Sequence, residues 1–166
     1  MFVVKPPSAA SKVARYRELA TLVRGLIEDE TDGLANAANF SALLYETLPA
    51  LNWIGFYLLR GEELVLGPFQ GKVACVRIAL GRGVCGTAAR ARKTVVVPDV
   101  HAFPGHIACD AASRSEIVVP LLSGGELFGV LDLDSPEPGR FDADDASGLE
   151  ALVEALLAGS DFARLI

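Results

Sequence analysis

The chain has little of what disulfide scaffolds and metal sites are built from. It carries three cysteines, an odd number, and no Cys-x-x-Cys pair. That argues against a secreted disulfide framework and against a zinc ribbon. Histidines number only two, His101 and His106. The separations of Cys75, Cys85 and Cys109 match no zinc pattern; a Cys/His site with the two histidines is the minor reading, and no metal or other cofactor is expected. Basic residues form no cluster, and 15 bases against 21 acids leave a net charge of −6. Nucleic acid is therefore not an expected partner. The clean apolar run Ile117–Leu122 is far too short to span a bilayer. Met1–Lys12 lacks the apolar core of a signal peptide. A soluble, cytoplasmic protein with no membrane partner is expected. Gly81-Arg-Gly-Val-Cys-Gly lacks the Gly-Lys-Ser/Thr ending of a phosphate loop and the spacing of a dinucleotide loop.

What is present is a globular profile: 166 residues, 51% hydrophobic and 22% charged. A chain of that length fits one domain, read here as 1–166 with a short N-terminal extension over about 1–10. Ala9–Glu28 reads as an amphipathic helix with Val13, Tyr16, Leu19, Val23 and Leu26 on one face. Leu34–Leu48 reads as a second helix, ended by Pro49. Leu51–Leu59 is a predicted strand with Trp53, Gly55 and Tyr57 on one face. Glu63–Leu66 returns from a turn, Gly67–Gly71 reads as loop, and Ala74–Ala79 as a short strand carrying Cys75. Val84–Ala91 is a predicted helix containing Cys85, and Thr94–Val97 a β-branched strand. Ile117–Leu122 and Glu126–Asp134 form a hairpin around Ser123-Gly124-Gly125. Asp142 caps a last helix whose stripe is Leu149, Leu152, Val153 and Leu156. Hairpins with helices at both ends predict an α+β fold: an antiparallel central sheet of about six strands, flanked by helices.

Two constellations can carry chemistry. The first is the loop Asp99–Glu116, with Cys109 three residues after His106 and beside Asp110. A free thiol has a pKa of about 8.5, so a reactive Cys109 needs a neighbour that favours the thiolate. His106 would favour it and Asp110 would oppose it. The second is Leu131-Asp-Leu-Asp-Ser, which sets Asp132 and Asp134 on one strand face. Glu116 joins that face only in the right hairpin register. A two-residue loop pairs it with Leu133; an extra loop residue or a bulge pairs it with Asp132, and that pairing is expected. Three convergent carboxyl groups would raise at least one pKa, leaving a protonated acid beside ionised neighbours. Trp53 and Tyr57 would wall such a pocket, although ordinary core packing fits their spacing equally well.

Taken together, Gly67-Pro-Phe-Gln-Gly-Lys-Val-Ala-Cys-Val-Arg-Ile, Gly81-Arg-Gly-Val-Cys-Gly-Thr-Ala, Gly105-His-Ile-Ala-Cys-Asp, Ser115-Glu-Ile-Val-Val-Pro and Gly129-Val-Leu-Asp-Leu-Asp-Ser resemble the free methionine-(R)-sulfoxide reductases, stand-alone GAF-fold enzymes. The resemblance covers Ser41 to the last helix and includes all three cysteines. It implies that Cys109 attacks the sulfoxide sulfur, that Cys75 resolves the resulting sulfenic acid as a disulfide, and that Cys85 is an auxiliary thiol. It implies that Glu116, Asp132 and Asp134 orient the free amino acid and protonate its sulfoxide oxygen, with Glu116 and Asp134 in the catalytic set. Trp53, Tyr57 and Ile107 would contact the substrate. Thioredoxin would be the reductant and a homodimer the assembly. The readings weighed against it are a GAF sensor that binds a small ligand without turnover, a thiol redox sensor, and a Cys/His metal site.

Overall fold

The computed structural model describes residues 7–9, 11–105 and 110–165. The chain runs α1 (Lys12–Ile27), α2 (Gly33–Thr47), β1 (Trp53–Arg60), β2 (Glu63–Gly71), β3 (Arg77–Ala79), α3 (Gly83–Ala91), β4 (Val95–Val97), β5 (Ser115–Ser123), β6 (Glu126–Ser135) and α4 (Ala143–Ala158). The Ser11 hydroxyl caps α1 and the Asp32 carboxylate caps α2, each accepting from the first turn. Asp142 and Asp145 close a reciprocal capping box on α4.

The six strands form an antiparallel sheet in the order β3-β2-β1-β6-β5-β4. The α+β expectation is met. Alternation divides the sheet into two faces. Ile54, Phe56, Leu58, Ile117, Val119, Leu131 and Leu133 pack with α1, α2 and α4 in one cluster. Trp53, Tyr57, Val118 and Val130 pack with α3 in a second. The second face carries the acids, so the sheet separates a structural core from the candidate site.

Several local expectations need correction. The inward stripe of α1 is Tyr16, Leu19, Val23 and Ile27, whereas Val13 is exposed. Gly67–Gly71 is strand, not loop. A bulge opposite Phe56 absorbs the Gly67-Pro68 step, so two turn-forming residues sit inside β2. Ala74–Ala79 shortens to β3 at Arg77–Ala79, which leaves Cys75 in the preceding loop. The Tyr57 hydroxyl donates to the Cys75 carbonyl at 3.0 Å, and the Trp53 indole N–H to the Lys72 carbonyl at 3.0 Å. Side chains of β1 thus hold this loop in place of a strand ladder.

The β5–β6 hairpin turns through Gly124 and Gly125, both at positive φ (59° and 83°), a two-residue connection that matches strand twist. A bulge follows between Leu121 and Leu122 and adds Phe128 to β6. Glu116 consequently pairs with Asp134, not with Asp132 as expected. The bulge was anticipated; its extra residue falls on β6 and moves the partner the other way. The face is unchanged.

Gly129 makes that register possible. Its φ is 150°, and a Cβ there would lie 2.1 Å from the Tyr57 carbonyl oxygen. Gly129→Ala is expected to cost at least roughly 1–3 kcal/mol in backbone strain. A fall in melting temperature of about 2–4 °C per kcal/mol would report it in thermal unfolding.

Candidate active site

Two neighbouring strands, β5 and β6, deliver the acids to one place. Asp134 lies between Trp53 on β1 and Glu116 on β5, and Asp132 lies between Gly55 and Val118. Only a glycine fits at position 55: a Cβ would sit 2.5 Å from the Trp53 ring and 2.4 Å from Phe69 Cβ. Trp53 stacks on Phe69 at 5.5 Å and on Tyr57 at 5.9 Å between ring centroids. The aromatic wall and the acids bound a cavity also lined by Ala74, Arg82, Gly83, Val84, Cys85, Asp110 and Ser113. It contains about 440 Å³ of space free of atoms, counted to its open mouth.

The acids are buried: Glu116 is 5%, Asp132 6% and Asp134 9% exposed. Burial pushes all three carboxyl pKa values well above the ordinary range, and mutual repulsion adds to it. For Glu116 the repelling charge is Asp134, for Asp132 it is Glu116, and for Asp134 it is Asp132. Cys85, in the first turn of α3, donates its thiol hydrogen to Asp132 Oδ2 at 3.2 Å, with Glu116 Oε1 at 4.0 Å. Burial, then Asp132 and Glu116, raise the Cys85 pKa well above the thiol value. Cys85 is therefore a neutral donor at this site, not a thiolate. Asp132 Oδ1 is buried and accepts no hydrogen bond. A buried carboxylate oxygen without a partner is costly unless a ligand supplies the donor.

A polar relay connects the acids to the segment after residue 109. Asn52 donates to Asp110 Oδ2 at 3.3 Å and to Ser113 Oγ at 3.0 Å. The Ser113 hydroxyl in turn bonds Asp134 and opposes the rise of its pKa. Asp110 is held below the ordinary carboxylate value by the Ala112 backbone N–H, and by Lys72 and Asn52. The α3 N-terminus, with no side-chain cap, also faces the cavity beside Arg82. Its N–H groups and helix dipole suit an anionic group.

Of the residues singled out in the sequence, Trp53, Tyr57, Cys85, Glu116, Asp132 and Asp134 line one cavity. Cys75 does not line it; the adjacent Ala74 does. Cys109, Ile107 and His106 lie outside the described residues. His101 is exposed in a short turn. Asn52, Ser113 and the α3 N-terminus were missed, and Asp110 was weighed only as a neighbour of Cys109. Each is a polar group at the end of an element, and it acquires meaning only when the ends meet.

The GAF domain family model matches residues 40–157. The free methionine-R-sulfoxide reductase of Escherichia coli is 53% identical over 93% of this chain and 95% of its own length. The structure of free methionine-R-sulfoxide reductase from Neisseria meningitidis in complex with its substrate is 48% identical. It covers 99% of each chain at a TM-score of 0.93. A candidate GAF sensor protein from Burkholderia vietnamiensis is 63% identical over 91% of this chain and 96% of that one, at a TM-score of 0.88. The chain belongs to the GAF-domain family of free methionine-R-sulfoxide reductases.

Proposed function

We propose that this protein is an oxidoreductase that reduces free L-methionine-(R)-sulfoxide to methionine with its own thiols, recycled by thioredoxin. The observation that carries the reading is the cavity in which three buried carboxyl groups meet an aromatic wall, with Asp132 Oδ1 left for a ligand donor. The ammonium group of a free amino acid supplies such a donor together with a positive charge, whereas a residue within a peptide offers only a neutral amide N–H. The substrate carboxylate would meet the α3 N-terminus and Arg82. Trp53 and Tyr57 would hold the methylsulfinyl end.

A sulfoxide oxygen leaves sulfur only when protonated, so the thiolate needs an acid at its side. Burial favours the protonated forms of Glu116 and Asp134 that can act as that acid. The Cys109 thiolate attacks the sulfoxide sulfur, the oxygen takes a proton, and methionine leaves as Cys109 becomes a sulfenic acid. The Cys75 thiol then attacks Cys109, expelling water and forming a disulfide. A dithiol reductant returns both cysteines to thiols by exchange. The loop placement of Cys75, tied down through its carbonyl, supports a thiol that is met from outside the cavity. Cys85 stays a proton donor to Asp132. A cytoplasmic homodimer is part of this reading. Analytical ultracentrifugation tests it.

The test is a thioredoxin-coupled assay on the resolved epimers of free methionine sulfoxide and on a peptide-bound form. Turnover of the free R epimer alone is expected. Saturable binding with no methionine released would favour the sensor reading instead.

The relay yields a separate prediction. Asn52→Ala removes the donor shared by Asp110 and Ser113, hydrogen bonds worth about 1–3 kcal/mol when one partner is charged. A fall of roughly 10-fold in kcat is expected, with the alkaline limb of the pH–rate profile shifted to higher pH, because Asp134 keeps its proton longer once the Ser113 bond is weakened. An unshifted profile would confine Asn52 to a structural role.

A further inference from the structure

We propose that Cys85, Glu116 and Asp132 form a binding site for a thiophilic divalent cation of the Zn²⁺ class, in competition with the ammonium group of an amino-acid ligand. The binding claim stands on geometry alone; the competition claim rests on the proposed function.

The donor atoms of the three side chains all lie within 4.8 Å of one another. From Cys85 Sγ, Asp132 Oδ2 is at 3.2 Å and Glu116 Oε1 at 4.0 Å. A tetrahedral zinc ion with its usual bonds to sulfur and oxygen sets those two donor types roughly 3.5 Å apart, between the two observed distances. Small rotamer adjustments therefore bring the three donors into a coordination sphere. They come from α3, β5 and β6, elements packed against one another, so the triad is held by the scaffold and not by a mobile loop.

Asp132 supplies an independent pointer. Its side chain is buried at 6% exposure, yet Oδ1 has no hydrogen-bond partner. A buried carboxyl oxygen in that state can receive a cation or a donor from a ligand. All three side chains line the same cavity, which opens to solvent.

The donor set selects the metal. One sulfur and two carboxylates suit zinc or cadmium, whereas magnesium and calcium take oxygen-only sets. Binding converts the Cys85 thiol to a thiolate and releases its proton to solvent. Three protein ligands leave one position open toward the cavity, where a water or an anionic group can complete the sphere. A cation there would take over the charges that a substrate ammonium would otherwise meet.

The test uses the full chain carrying Cys75→Ser and Cys109→Ser, so that Cys85 is the only thiol left. Titration with Co²⁺ is expected to give a near-ultraviolet sulfur-to-cobalt charge-transfer band that saturates at one ion per chain. Zn²⁺ should displace the cobalt and remove the band. Asp132→Asn on the same background should weaken binding by more than ~10-fold, with folding checked by circular dichroism. That variant keeps the thiol and tests the site independently of Cys85→Ser, which should abolish the band. Absence of a charge-transfer band, or unchanged affinity in folded Asp132→Asn, would overturn the site. Free methionine sulfoxide should compete with Co²⁺ for the same protein; simultaneous binding would overturn the competition. Turnover by metal-free wild-type protein reports on the reductase reading separately, so the two failures are distinguishable.

Discussion

Cys109→Ser is expected to lower methionine release from free methionine-(R)-sulfoxide by at least ~10³-fold, because a serine hydroxyl at neutral pH is a far weaker nucleophile than a thiolate. Cys75→Ser should behave differently. Its first turnover should proceed near the wild-type rate and then stall, with a sulfenic acid on Cys109 and about one methionine released per chain. The two variants thus separate the atom that attacks from the atom that resolves. Quenched-flow measurement of methionine, with trapping of the sulfenic acid by a dimedone reagent, reads both. Activity of Cys109→Ser near wild type would remove the proposed nucleophile. Continued cycling of Cys75→Ser with thioredoxin would assign the resolving role to another thiol, and buried Cys85 is the remaining one.

Glu116→Gln should produce two effects of opposite sign. General acid catalysis contributes roughly 10²–10⁴-fold, and kcat/KM is expected to fall within that range. The protein without ligand should meanwhile become more stable at pH 8. Burial, reinforced by Asp134, raises the pKa of Glu116 in the folded protein. Unfolded, its value is about 4.3. Between the two, the folded state holds more protons than the unfolded state, so stability falls as the pH rises through this window. Above the folded pKa the full cost of the buried charge is present, and below about 4.3 none of it is. Glutamine carries no such cost. The melting temperature of Glu116→Gln at pH 8 should exceed wild type by ~2–4 °C for each 1 kcal/mol relieved. The gap should narrow as the pH is lowered toward 5. A variant less stable than wild type at pH 8 would mean that hydrogen bonds of the Glu116 carboxylate outweigh its burial.

Alternation made much of the site legible in advance. Asp132 and Asp134 share a face with Trp53 and Tyr57 because both strands run regularly through those positions and pair in register. The last helix was equally clear, since Asp142 and the stripe Leu149, Leu152, Val153 and Leu156 are local signals. Errors arose where a distant chain overrides local chemistry. Gly67-Pro68 reads as a turn but is taken up by a bulge against Phe56. Cys75 reads as strand but is held off the sheet by the Tyr57 hydroxyl. The partner of Glu116 depended on which strand received the bulge. The close approach of the Tyr57 carbonyl to Gly129, which fits that choice, is a tertiary contact. Asn52 and Ser113 carry no periodic signal, and their relay exists only because the residue before β1 and the segment before β5 lie side by side.

The most direct measurement is a single turnover without external reductant. Fully reduced wild-type protein in slight excess over free methionine-(R)-sulfoxide is quenched, and methionine, residual sulfoxide and thiols are counted. The expected result is one methionine formed for each pair of thiols lost, with the disulfide mapped to Cys75 and Cys109. Recovery of the sulfoxide unchanged from a protein that binds it, with every thiol still free, would contradict the proposed chemistry.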